Sequence, residues 1–124
     1  MMTSKAAGWV YAAQEDGTPL VKIGFTRLSR AETRVHTLRF QYHVPFTLIA
    51  AMWLTAGARR VERAIHELLA AQRIEGEFFY LHMSQAYLQT LIEMVLPNVR
   101  RDLHLYAIEK QRTLERHLQR KKRL

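Results

Sequence analysis

Glu62 and His66 stand four residues apart in the stretch RRVERAIHELL, and on a helix that spacing puts both side chains on one face. Glu62 falls about 100° from Val61 around such a helix. Its carboxylate then sits where an apolar stripe meets solvent, a position suited to the wall of a cleft. The plainer alternative is an exposed Glu-His pair. Arg34, ten residues after Gly24, carries a planar fork that grips phosphate through two parallel hydrogen bonds. Arg27, Arg30 and Arg39 compete for that role, and each also reads as a solvated arginine. Tyr11 serves as a base only beside cations that favour its ionised form, which Lys22 and Arg34 are placed to supply. Otherwise it is half-buried strand packing.

The elements that must position these groups follow from periodicity and punctuation. Residues 9–13 and 20–25 are rich in Val, Ile, Tyr, Trp and Phe and flank the turn-forming QEDGTP, which predicts a β-hairpin. A helix is expected over 30–40, with Ser29 as N-cap and Pro45 beyond its end. TLIAAMWL, residues 47–54, reads as a third strand buried on both faces. A second helix over 58–73 carries the stripe Val61, Ala64, Ile65, Leu68 and Leu69 and ends at Gly76. Residues 77–81 read as a short strand or strand-like edge. Ser84 opens a third helix that Pro97 interrupts, and a fourth runs through the basic tail, fraying beyond Leu118. Leu103, Tyr106, Leu114 and Leu118 give that last segment only a sparse apolar face. The order β-β-α-β-α-β-α-α implies a small α+β or α/β domain.

The 124 residues suit one domain, and 48% hydrophobic content suffices for a real core. The absence of cysteine excludes a disulfide framework and a thiolate zinc site. MMTSKAAG lacks the apolar segment of a signal peptide, and no apolar run approaches the roughly 18 residues of a membrane span. The expectation is a soluble, cytoplasmic protein. Net charge is +8, and residues 98–124 carry +6 of it, through nine Lys or Arg against three acids. That excess favours a polyanion, nucleic acid first. A basic helix also lies on anionic membranes, but here the apolar face is thin and lacks Trp and Phe, so no membrane partner is expected.

In combination the residues form a pattern: VYA at 10–12, KIG at 22–24, Arg34 in RVHTL, ERAIH at 62–66, and the closing GEFFYL. This order resembles the GIY-YIG nuclease superfamily over residues 8–81. It is most similar to the branch named for an open reading frame of phage T5 and a meiotically up-regulated yeast gene. Lys22 stands where many superfamily members have a second tyrosine. The resemblance implies an α+β fold, with a small three-stranded antiparallel sheet flanked by helices, followed over 84–124 by a helical basic extension. It also implies a DNA-binding, metal-dependent endonuclease. Glu62 would be the single protein ligand of one Mg²⁺ or Mn²⁺. Tyr11 would be the general base, Lys22 would orient the attacking water, and Arg34 would hold the phosphate.

Nucleic-acid contacts are expected from Arg27, Arg30, Arg34 and His66, and from Arg100, Arg101, Arg112, Arg116, Arg120, Lys121 and Lys122 of the tail. A single surface made of both groups requires Arg34 and the tail to share one face of the domain. One site that must cut two strands favours a homodimer or sequential nicking. Two alternatives stand beside the nuclease: a non-catalytic DNA-binding module on the same fold, and a protein-protein adaptor acting through the C-terminal helices.

Overall fold

Four consecutive residues, Val10 to Ala13, are fully buried, which an amphipathic surface strand would not allow. They lie in β1 (Gly8–Glu15), which is paired on both sides and covered on both faces. A computed structural model describes residues 7–123; residues 1–6, where the sequence has no leader-like apolar run, lie outside the described residues. The expected hairpin joins β1 to β2 (Leu20–Thr26), antiparallel, with Tyr11 opposite Gly24 and Ala13 opposite Lys22. On its other side β1 pairs with β3 (Phe46–Leu54), with a bulge between Ala12 and Ala13.

The sheet has five antiparallel strands rather than three, in the order β3-β1-β2-β5-β4. β4 (Arg73–Glu75) and β5 (Phe78–Tyr80) are three residues each, too short for a period-two pattern to announce them. β4 takes the end of the expected second helix, which instead stops at Leu68 and passes through a single 3₁₀ turn, Ala70–Gln72. Gly76 therefore does not end that helix. At φ +53° it turns β4 into β5, and the Arg73 Nε–H donates to its carbonyl at 2.6 Å. β3 is an edge strand and mostly half-buried, with only Ala50 fully inside, so the expectation of burial on both faces fails there.

Helices cover the two faces separately. α1 (Ala31–Tyr42) packs Ala31, Val35 and Leu38 on the face that carries Tyr11 and Ala13. Its N-cap is Arg30, with no side-chain cap bond; the Ser29 carbonyl instead accepts from Trp9 Nε1 at 3.2 Å. α2 (Ala58–Leu68) and the first part of α3 (Gln85–Arg123) cover the opposite face, where Val61 and Ile65 meet Val10, Ala12, Val21 and Ile23. Leu69 is buried as expected, but Leu68 is 44% exposed, because the helix ends there and the chain turns away.

α3 is one 39-residue helix, not two. Its start is as expected: Ser84 Oγ accepts from the Tyr87 N–H at 3.0 Å. Gln85 then folds back on β3. Its side-chain amide bonds both the N–H and the C=O of Ala51, at 3.0 and 2.9 Å, standing in for a missing neighbour strand. Leu88, Leu91, Ile92, Val95 and Val99 make a buried stripe, each larger member worth about 1.5–3 kcal/mol of transfer free energy. Pro97 lies on the solvent side of that stripe, so water can satisfy the carbonyl that it leaves without a donor. The helix therefore continues, helical to Arg123 rather than fraying at Leu118. The C-terminal segment is thus half core and half solvated helix. Replacing Pro97 by Ala restores the missing bond, and we expect a gain of up to about 3 kcal/mol, read as a rise in the urea midpoint with an unchanged slope.

Candidate functional site

Lys22 is 2% exposed, an unusual burial for a lysine. Alternation along β2 sends it to the same face as its cross-strand partner Ala13 and, two residues on, Tyr11. Its ammonium donates to the Tyr11 hydroxyl at 3.3 Å and makes an ion pair with Glu77. Burial works against its charge, but Tyr11 and Glu77 prevail and hold it above the ordinary lysine value. Lys22 is a permanent cation. Tyr11 itself is fully buried within the α1-side cluster, and its ring runs over Gly24. A Cβ at Gly24 would lie 2.5 Å from the tyrosine oxygen, which explains why the KIG motif ends in glycine.

Glu77 joins this chain of groups to α2. It sits just before β5, where the pairing of β5 with β2 runs out, and its carbonyl accepts from the Ile23 N–H at 3.0 Å. Its side chain is 41% exposed. With Glu62 and His66 it lines a cavity of about 370 Å³, together with Phe25, Arg59, Arg63 and Arg73. The Glu62–His66 pair is therefore not a surface pair. Glu62 is 9% exposed, and its Oε1 lies 3.6 Å from His66 Nε2. That same nitrogen is 2.8 Å from the Ile23 carbonyl, which makes Nε2–H the donor and pins α2 to β2. Burial holds His66 below the ordinary histidine value, so the ring is neutral. Burial, then the charge of Glu77, pushes the Glu62 carboxyl up to about 7.

Lys22 thus links Tyr11 to Glu77, and Glu77 shares its cavity with Glu62; the sequence pattern places Glu77 in a strand without a chemical role. The signal for it is an acid directly before three apolar residues in GEFFYL. Among the described residues Arg27, Arg30 and Arg34 make no bond to these groups. Arg34 bonds Thr37 and Gln41 on its own helix, both at 3.4 Å, Arg30 faces Glu32 at 3.6 Å across solvent, and Arg27 is exposed. Arg100, Arg101, Arg112, Arg116, Arg120, Lys121 and Lys122 are all exposed on α3, and Arg116 is engaged with Glu109 at 3.3 Å. α1 packs on one face of the sheet and the buried first part of α3 on the other. Among the described residues no helix is long and apolar enough to cross a membrane.

A family model described as the T5orf172 domain matches residues 8–96, which takes in all five strands, α1, α2 and the start of α3. No curated protein and no solved structure matches the chain.

Two outcomes follow from the geometry. Gly24→Ala forces the tyrosine ring away from Lys22, and overpacking of this kind costs about 1–3 kcal/mol, measurable by urea denaturation. The second concerns pH. The folded state holds a proton on Glu62 up to about pH 7, whereas the unfolded chain releases it near 4.5. Stability from this group is therefore complete below about pH 4.5 and is lost as pH rises to 7, by on the order of 3 kcal/mol. Glu62→Gln cannot ionise. It should be the more stable protein at pH 8 and lack this part of the slope, and a wild-type stability that does not fall relative to Glu62→Gln from pH 5 to 8 contradicts the assignment.

Proposed function

The chain belongs to the T5orf172 domain family, and from that premise we propose that it is a DNA-binding, GIY-YIG-type endonuclease that hydrolyses phosphodiester bonds with one divalent cation. The observation that supports this most is a chain of groups: Tyr11 bonds Lys22, Lys22 pairs with Glu77, and Glu77 lines one cavity with Glu62.

The residues present fit a hard cation. Glu62 and Glu77 face the same cavity closely enough for Glu77 to disfavour the ionised form of Glu62, and a cation held by Glu62 would relieve it. The donors are carboxylate oxygens with no thiolate, which suits Mg²⁺ or Mn²⁺. His66 is not offered as a ligand through Nε2, since that nitrogen serves the Ile23 carbonyl. Glu62 would be the residue that holds the cation. When bound, the cation supplies Lewis-acid stabilisation of the leaving oxygen.

The chain's own groups do the rest. As its phenolate, Tyr11 takes a proton from the attacking water, whose oxygen bonds phosphorus as the bond to the leaving oxygen breaks. Lys22 donates to that tyrosine oxygen at 3.3 Å and orients it. Glu77 holds Lys22 in place. Arg34, at the rim of α1, is the candidate to grip the phosphate once a substrate orders it.

A second reading is favoured by one observation: Tyr11 is 0% exposed, and a base must reach water. On that reading the same fold is a DNA-binding module without cleavage. Supercoiled plasmid incubated with Mg²⁺ or Mn²⁺ separates the two. The nuclease reading expects nicking that EDTA abolishes, that Glu62→Gln removes, and that Tyr11→Phe slows by about 10²–10⁴-fold. Salt-sensitive DNA binding with no nicking by the wild type supports the module, and no DNA binding at all sinks both.

A further inference from the structure

A second concavity lies beside the Glu62 cavity. Between α2 and α3 runs a groove of about 880 Å³, lined by Arg59, Arg60 and Arg63 of α2 and Arg101 of α3, against Glu67 and Asp102. Four cations against two anions make it positive. Three of these arginines lie outside the basic tail, in the part of the chain that is nearly neutral by count. Among the described residues none of the four is in an ion pair.

Arg60 shows what the groove lacks. Its Nε is buried without a hydrogen-bond partner, while its guanidinium lies 5.8 Å from the centre of the Tyr106 ring, so the side chain is held in place with a donor unused. The terminal nitrogens of the guanidinium are the ones a groove ligand can reach. Apolar side chains share the groove with the arginines: Leu68 is 44% and Met94 58% exposed. Cationic forks separated by apolar patches complement a sugar–phosphate strand, in which anionic phosphates alternate with the apolar faces of deoxyribose. The groove is also continuous with the candidate site, because Arg59 and Arg63 line both it and the Glu62 cavity.

We infer that the α2–α3 groove is the track along which one strand of DNA backbone is held and led to the Glu62 cavity, ahead of the basic tail as the main phosphate-binding surface. This inference rests on the DNA-binding reading above and deepens it.

Arg60 and Arg101 line the groove but not the Glu62 cavity, so changing them tests the track without touching the proposed chemistry. The probe is a labelled DNA duplex of mixed sequence, titrated by anisotropy across a salt series. For the double variant R60Q/R101Q we expect weaker binding and a shallower dependence of log K on log salt, by about 0.9 for each phosphate no longer neutralised. R120Q/K122Q removes the same charge from the tail and should weaken binding less. R60K/R101K keeps the charge and should retain most of the affinity, which separates phosphate binding from a packing role over Tyr106.

A wild type that binds DNA while R60Q/R101Q binds equally well overturns the groove and leaves the DNA-binding reading standing. A greater weakening from the tail pair, or a lysine pair as weak as the glutamine pair, also overturns it. A wild type that ignores DNA but binds anionic phospholipid vesicles overturns both.

Discussion

A buried ammonium group organises this protein. Removing a lysine head from water costs several kcal/mol even after relaxation, and Lys22 sits in the middle strand of the sheet at 2% exposure. Its neighbours are what that cost demands: an acceptor from β1 in the Tyr11 hydroxyl and a counter-ion in Glu77. The position of Glu77 in turn explains the β4–β5 hairpin. Strands of three residues are marginal by themselves, yet here they are tied to β2 by the Ile23–Glu77 backbone bond and by the ion pair.

The same arrangement leaves the cavity electrically unbalanced in a useful direction. Two carboxylates, Glu62 and Glu77, share the influence of one buried lysine, with Arg59 and Arg63 contributing from the rim. His66 adds no charge, because burial keeps it neutral while it fastens α2 to the Ile23 carbonyl. The support for these groups comes from β1, β2 and α2.

Local patterns carry the parts of the site that depend on local spacing. Glu62 and His66 share a helix face by their four-residue separation, and Tyr11 and Lys22 meet because the hairpin register puts them on one side of the sheet. What escapes such patterns is decided by distance in the chain. The partnership of Glu77 with Lys22 needs a β5 that three residues cannot advertise. Pro97 looks like a break because the sequence does not say that it faces water. Arg59, Arg60 and Arg63 look like ordinary solvated positions until α3 lays Arg101 beside them. Arg34 stands out by motif alone, and in the free protein its partners are on its own helix.

α3 has one further property, which concerns phase rather than contact. Its first half is locked to the core through Val99, and beyond that residue no side chain is buried. Each residue of an α-helix advances the direction of the next side chain by about 100°. A single insertion or deletion just beyond the last buried turn would therefore swing the whole basic face to another bearing, and the sheet would register nothing. Reach and bearing of the cationic arm are set by counting residues along a solvated rod, so descent with small changes in length can re-aim it while the architecture of the sheet stays as it is.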